Sequence, residues 1–201
     1  MNTDLLYRHI CAYETVSKDE FDNFLKLFKA IHLKKGEHLY LAGRVPKYAS
    51  FIISGCLRQY ILDEQGTAQI VQFYDQACWV GEVDSMITKI PTNMNLQALE
   101  DCELLCITGD DMCHAMEKIA WLQHYTIQNN YADQARILDE TNRLKRSSPE
   151  ASYLEFLRMR PSLVLRIPQQ YIANFLGIRK ETLSRIRNRV ARRQFVDRSQ
   201  L

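Results

Sequence analysis

The chain has 201 residues, 46% hydrophobic and 25% charged, the make-up of a soluble globular protein able to bury one good core and a second, smaller one. No apolar run approaches the roughly 20 residues that a membrane helix needs, and Met1 to Arg8 lacks a basic segment followed by an apolar stretch, so neither membrane nor export is expected and the cytoplasm is. The formal charge of +2 conceals a split: residues 143–201 hold fourteen Lys and Arg against four Asp and Glu (+10), and residues 1–142 hold twelve against twenty (−8).

In chain order, residues 2–30 read as helical. Phe21, Phe24, Leu25 and Phe28 recur at helical spacing after Ser17-Lys-Asp-Glu20, a capping signal, and this region is expected to lie against the domain that follows. From about Ile31 the period becomes that of short strands separated by glycine. The expected strands are His32–Lys34, Leu39–Leu41, Ser50–Ser54, Leu57–Leu62, Ala68–Tyr74, Trp79–Gly81, Leu96–Leu99 and Glu103–Ile107, with Asp63-Glu-Gln-Gly66 as a hairpin turn. Some eight short strands at this spacing predict a jelly roll or barrel.

After Gly109 the pattern is helical for about 35 residues, from Met112 to Leu144, longer than a compact domain usually employs. Its apolar positions recur at three and four, interrupted by Asn129 and Asn130, as in a helix that pairs with its own copy. Ser147-Ser-Pro149 breaks the chain, Glu150–Arg160 forms a short helix ended by Pro161, and Leu163–Ile167 is a brief extended run. The expected domains are therefore 1–110, 111–146 and 147–201.

The last of these carries a helix-turn-helix pattern, from Pro168 through Gly177 and then from Ile178 through Arg187. Two helices packed round a tight corner need a small residue in the first, glycine at the corner and apolar residues at helical spacing. Ala173, Gly177, Ile172, Leu176, Ile178, Leu183 and Ile186 supply these in register, with Pro168 in the first turn. A basic block beside an acidic body is the electrostatic footprint of a phosphate-backbone binder. Double-stranded DNA is the expected partner.

Six cysteines, Cys11, Cys56, Cys78, Cys102, Cys106 and Cys113, show no C-x-x-C and no zinc-type histidine spacing, so buried reduced thiols are expected and no metal is. Cys102 and Cys106 fall on one face of a strand.

The order of β-roll, long helix and helix-turn-helix resembles the cyclic-AMP receptor protein and FNR (Crp/Fnr) family of bacterial transcription regulators, over nearly the whole chain. The residues that carry the resemblance are Lys35-Gly36-Glu37, Gly43, Phe51–Gly55, Asp63–Gly66, Val80-Gly81-Glu82 and Lys180-Glu-Thr-Leu-Ser-Arg185, the last similar to the family's R-E-T-x-x-R recognition motif with Lys for the first Arg. The resemblance implies an α+β fold: a double-stranded β-helix or jelly roll of cyclic-nucleotide-binding type, a long dimerisation helix, and a winged-helix-like helix-turn-helix domain. The wing is short or absent, with Phe195-Val196 as its remnant.

The resemblance also implies an effector pocket at Gly81, Glu82, Thr92 and Asn93. The last two stand where the family holds the cyclic-nucleotide phosphate with an Arg-Ser pair, and Lys89 is the nearest cation in sequence. Neither Thr92 nor Asn93 carries charge, so tight cyclic-AMP binding is not expected, and the pocket takes an unidentified small-molecule effector or none. Only Cys11 lies near the N-terminus, against the cysteine group of FNR-type iron–sulfur sensors. In the recognition helix, about Lys180–Arg192, the expected base readers are Lys180, Glu181 and Arg185; Gln169, Gln170, Thr182, Ser184, Asn188 and Arg189 are placed for phosphates. A homodimer on a two-fold symmetric operator follows, with RNA polymerase as a further implied partner.

Two other classes compete with this reading. A site-specific DNA recombinase needs a catalytic serine near the N-terminus beside arginines, but Ser17 is flanked by Lys18 and Asp19, so no catalytic residue and no enzyme is expected. A ligand sensor acting through protein contacts would show neither steep salt dependence nor a preferred palindrome.

Overall fold

The computed structural model of the chain describes residues 2–145 and 148–198, and the side chains among them except those of Lys145 and residues 193–198. By backbone packing the chain forms two compact units that divide between Asp133 and Gln134. The sequence places domain boundaries after 110 and 146 instead.

The first unit opens with α1 (Asp4–Cys11) and α2 (Lys18–Leu25). A capping box starts α2: Ser17 Oγ accepts from the Glu20 N–H at 3.3 Å, and the Glu20 carboxylate accepts from the Ser17 N–H at 3.0 Å and from its hydroxyl at 2.6 Å. Those hydrogen bonds hold the Glu20 carboxyl below the usual carboxylate range. Ser17→Ala is expected to lower stability by about 0.5–2 kcal/mol in urea unfolding with an unchanged slope; a variant as stable as the parent would show that the cap is idle.

Eight strands follow: β1 (Lys29–Leu33), β2 (His38–Tyr40), β3 (Tyr48–Ser54), β4 (Leu57–Leu62), β5 (Ala68–Tyr74), β6 (Trp79–Val80), β7 (Asn95–Ala98) and β8 (Cys102–Thr108). They make two antiparallel sheets ordered β1-β8-β3-β6 and β2-β7-β4-β5. The expected strands all appear, with β1 beginning inside the stretch read as helical. The β4–β5 hairpin closes where the sequence places it: the Asp63 carboxylate accepts from the Gln65 and Thr67 N–H groups, and Gly66 takes φ +78°.

Strand alternation divides the core in two. Phe51 and Ile53 of β3 with Leu105 and Ile107 of β8 pack with Leu6, Ile10, Phe21, Phe24, Leu122 and Tyr125. The alternate residues Ile52, Leu104 and Cys106 pack with Leu57, Leu96 and Val80 of the roll interior. β3 and β8 are thus buried on both faces, and α1 and α2 cover one of them, as their hydrophobic spacing predicts. Cys102 and Cys106 share the interior cluster, and Cys56 is also buried, whereas Cys11 and Cys113 are exposed.

A short helix, α3 (Val83–Thr88), follows the Gly81-Glu82 turn and has no counterpart in the sequence reading. The helix expected from Gly109 is two helices, α4 (Gly109–Lys118) and α5 (Ala120–Lys145), broken where Ile119 adopts extended backbone, φ −107° and ψ 103°. A straight 35-residue helix would be about 52 Å long. The bend lets Ala115 before it and Leu122 and Tyr125 after it bury in the same core.

The second unit contains the end of α5, then α6 (Pro149–Met159), α7 (Pro161–Val164), α8 (Gln169–Phe175) and α9 (Lys180–Arg198). Its core is Tyr153, Phe156, Leu163, Ile167, Ile172, Ala173, Leu183 and Ile186. Residues 163–167 are not extended. Pro161 starts the helical turn α7, and the Ile167 N–H donates to the Leu163 carbonyl at 2.8 Å. Leu163 and Ile167, four apart, both point inward while Leu165 is 90% exposed: the helical period is the one that buries this run. Pro168 is the cap before α8 rather than part of its first turn. Phe195 and Val196, read as a wing remnant, lie in the backbone of α9, and among the described residues no strand follows β8.

Candidate functional site

The helix-turn-helix is built as its residues require. The Ile178 N–H donates to the Ala173 carbonyl at 3.0 Å, and Gly177 takes φ +66°, left-handed backbone that glycine adopts without penalty. Ile172 and Ala173 of α8 and Leu183 and Ile186 of α9 fill the corner. Burying positions 183 and 186 turns the opposite side of α9 outward. Lys180, Glu181, Ser184, Arg185, Asn188 and Arg189 are exposed there, Gln169 and Gln170 are exposed at the start of α8, and Thr182 is half-buried. The structure therefore brings all nine candidates to one unit, with Glu181, Arg185 and Asn188 in a row at spacings of four and three.

Arg189 has a partner that the sequence reading missed: its Nη1 lies 2.6 Å from a carboxylate oxygen of Glu150 at the start of α6. Glu140 of α5 and Arg160 between α6 and α7 form a bidentate pair, Nε to Oε1 and Nη2 to Oε2 both at 2.7 Å, with side chains 2% and 8% exposed. Partners thirty-nine and twenty residues apart leave no signal in spacing.

The pocket candidates lie in the first unit. Glu82 caps α3, and Oε1 of its half-buried carboxylate accepts from the Tyr40 hydroxyl at 3.2 Å and from Gln59 Nε2 at 2.5 Å. The Gln59 amide also donates to the Tyr40 oxygen at 3.2 Å, and its carbonyl accepts from the Tyr74 hydroxyl at 3.2 Å. Burial pushes the Glu82 carboxyl up, opposed by the Tyr40 donor, and burial pushes the Tyr40 hydroxyl up strongly. Sequence reasoning missed Tyr40, Gln59 and Tyr74: they stand on β2, β4 and β5 of one sheet, and Glu82 reaches them from the turn after β6 of the other. Gly81 fits because a Cβ there would stand 3.3 Å from the Ala49 Cα and the Tyr48 carbonyl.

Thr92 and Asn93 do not join this network. Thr92 is buried and holds a loop crossing: its carbonyl accepts from the Gly43 N–H at 2.8 Å, its N–H donates to the Arg44 carbonyl at 3.1 Å, and Oγ1 accepts from the Met94 N–H at 3.1 Å. Asn93 is exposed. Lys89 pairs with Asp110 at 3.2 Å, and among the described residues Glu82 pairs with no cation. The turn thus presents a carboxylate among neutral donors, an arrangement that disfavours a second negative charge.

Residues 30–118 match the cyclic nucleotide-binding domain. The match spans 89 of the 201 residues and places a domain of that family there. Among curated relatives, the fumarate and nitrate reduction regulatory protein of Vibrio cholerae is 25% identical over 198 residues, covering 92% of this chain and 78% of the relative. Among solved structures, FixK2 from Bradyrhizobium japonicum aligns with a TM-score of 0.68 at 18% identity, over 83% of this chain and 86% of that one. The c-di-GMP-responsive global regulator CLP of Xanthomonas campestris aligns with a TM-score of 0.69 at 13% identity, over 87% and 91%. These two show that the shared fold extends past residues 30–118 into the helices that follow.

Proposed function

We propose that the chain is a dimeric, sequence-specific DNA-binding transcription regulator whose β-roll is an effector domain not built for tight cyclic-AMP binding. The observation that carries this is the outward face of α9 on a helix-turn-helix closed at Gly177, within residues 143–201, which hold a charge of +10. The N-terminal turn of α9 enters the major groove. Arg185 is placed for a bidentate contact to guanine, Glu181 accepts from cytosine N4, and Lys180 is the third base reader. Gln169, Gln170, Thr182, Ser184, Asn188 and Arg189 serve the phosphates.

Pairing of two copies along α5 has support in its exposed apolar residues: Ile127, Tyr131 and Leu138, 49%, 71% and 62% exposed, fall on one stripe of the helix. Two copies joined there present two reading helices about one DNA turn apart, on a two-fold symmetric site. RNA polymerase is the partner such a complex would meet at a promoter. The roll senses a small molecule other than cyclic AMP or works without one, since Glu82 stands among neutral donors and Thr92 is committed to its loop.

Selection of bound fragments from random duplex DNA tests this reading. A palindrome should emerge, with binding that weakens steeply with salt. Arg185→Ala should lose about 1–3 kcal/mol of discrimination, roughly 5–150-fold, at one position per half-site, while Arg189→Ala should weaken all sequences alike and reduce the salt slope by about one. Unaltered base preference in the Arg185 variant would remove that residue from the readers, and no enrichment at all would overturn the DNA reading.

A further inference from the structure

We propose that the hydrogen bond between Trp79 and Tyr125 couples the Gly81-Glu82 turn to helix α5, making these two residues positioning groups for the signal that leaves the pocket. The inference rests on the reading of the roll as an effector domain. Trp79 lies on β6, two residues before Gly81, and pairs with Phe51 of β3 across the sheet. Its indole ring packs edge-on against the Phe51 ring, with centroids 5.5 Å apart. Its Nε1–H donates to the Tyr125 hydroxyl at 2.7 Å.

Tyr125 is 2% exposed and sits in the first half of α5, where its ring meets those of His9, Tyr13 and Trp121 at centroid distances of 6.2, 5.9 and 6.4 Å. One turn further along α5, the buried Asn129 Oδ1 lies 3.0 Å from His9 Nε2 on α1. A turn-bearing strand, a terminal helix and α5 thus meet through buried polar contacts inside an aromatic cluster. An indole N–H has one donor and no acceptor, so a tilt of β6 either carries the Tyr125 hydroxyl with it or leaves that donor unpaired.

At the other end of the strand, Glu82 is held by Tyr40 and Gln59, so anything that displaces its carboxylate changes the anchor of the turn to which Trp79 is joined. α5 is one helix from Ala120 to Lys145 and passes the division between the two compact units without a break. Its far end carries Glu140, paired with Arg160 of the second unit. A bias applied at Tyr125 therefore acts on the element that is anchored in the helix-turn-helix unit.

Amide exchange along α5, followed on the full chain by mass spectrometry, tests the coupling without needing DNA or an effector. Tyr125→Phe deletes the hydroxyl and keeps the ring, whereas Trp79→Phe removes the N–H together with the five-membered ring that carries it. Tyr125→Phe is expected to speed exchange over residues 122–133 by about three- to tenfold, the range for losing one buried hydrogen bond, Trp79→Phe by at least as much because it also leaves a cavity, and the double variant by no more than Trp79→Phe alone. Glu82→Gln, which keeps the side chain's size, is expected to speed exchange in the same segment in the parent and not in the Tyr125→Phe background. Glu82→Gln with no effect on α5, or effects that multiply in the double variants, would overturn the coupling. A side chain that merely supports the roll would loosen β6 and β3 and leave the response of α5 to Glu82→Gln intact in the Tyr125→Phe background. Failure of the parent protein to enrich any DNA bears on the proposed function alone, because the exchange result stands apart from it.

Discussion

Glu140→Ala is expected to destabilise the C-terminal unit by about 3–5 kcal/mol, enough to unfold a marginal helical unit under conditions where the β-roll persists. The cause is the charge left behind. Arg160 is 8% exposed and donates through both Nε and Nη2 to the Glu140 carboxylate at 2.7 Å, so truncation takes both of these charge-assisted bonds from a guanidinium held away from solvent. Arg160→Met should be similarly damaging, for the carboxylate of Glu140, 2% exposed, is then the unpaired charge. The double variant Glu140→Leu with Arg160→Met should recover most of the loss, because an apolar pair forfeits the attraction but also escapes the desolvation cost. Urea unfolding followed separately in the two units, by proteolysis or amide exchange, reads the result. Single variants as stable as the parent would mean that the buried pair exchanges with water freely, contrary to its geometry. The exposed pair of Arg143 with Asp139 offers the control: its loss should cost under about 1 kcal/mol.

Gly55→Ala is expected to cost the roll about 2–6 kcal/mol, from two sources. Gly55 has φ +104°, backbone that an L side chain occupies only under strain of about 1–3 kcal/mol. Its Cβ would also fall 2.4 Å from Cys102 Sγ, 2.8 Å from Cys102 Cα and 2.9 Å from the Asp101 carbonyl, adding an overpacking penalty of about 1–3 kcal/mol. Cys102→Ala should not rescue it, because two of those contacts are backbone. Gly66→Ala is the informative comparison: φ is +78° there, but a Cβ would meet nothing within 4 Å, so only the conformational cost remains. Equal losses at the two sites, by thermal unfolding of the full chain, would show that crowding at Cys102 does not matter.

The two variants mark different kinds of legibility. The role of Gly177 follows from its place between two helical periods, and the helix-turn-helix appears where Ile172, Ala173, Leu183 and Ile186 put it. The hairpin at Asp63–Gly66 and the capping box at Ser17 are equally local, since each is closed within a few residues. The run 163–167, expected to be extended, is helical, because burying Leu163 together with Ile167 requires the helical period. The break at Ile119 was invisible for the opposite reason: its neighbours keep helical spacing, and only the core shared by Ala115, Leu122 and Tyr125 bends the chain. Thr92 stands ten residues after Glu82 in sequence, but its hydrogen bonds run to Gly43, Arg44 and Met94.

Hydrophobic period, turn chemistry and the lopsided charge of this sequence determined by themselves that a roll of short strands precedes a helix-turn-helix with a polar, basic outer face, because those properties act over a few residues or simply add along the chain. The tertiary structure alone decided what long-range closure brings together: Tyr40, Gln59 and Tyr74 around Glu82, the Trp79 indole on the Tyr125 hydroxyl, and Arg160 on Glu140. Such partners are chosen by desolvation and geometry, since a buried polar group must find whatever donor or acceptor the packed fold places within about 3 Å. No sequence spacing records that choice.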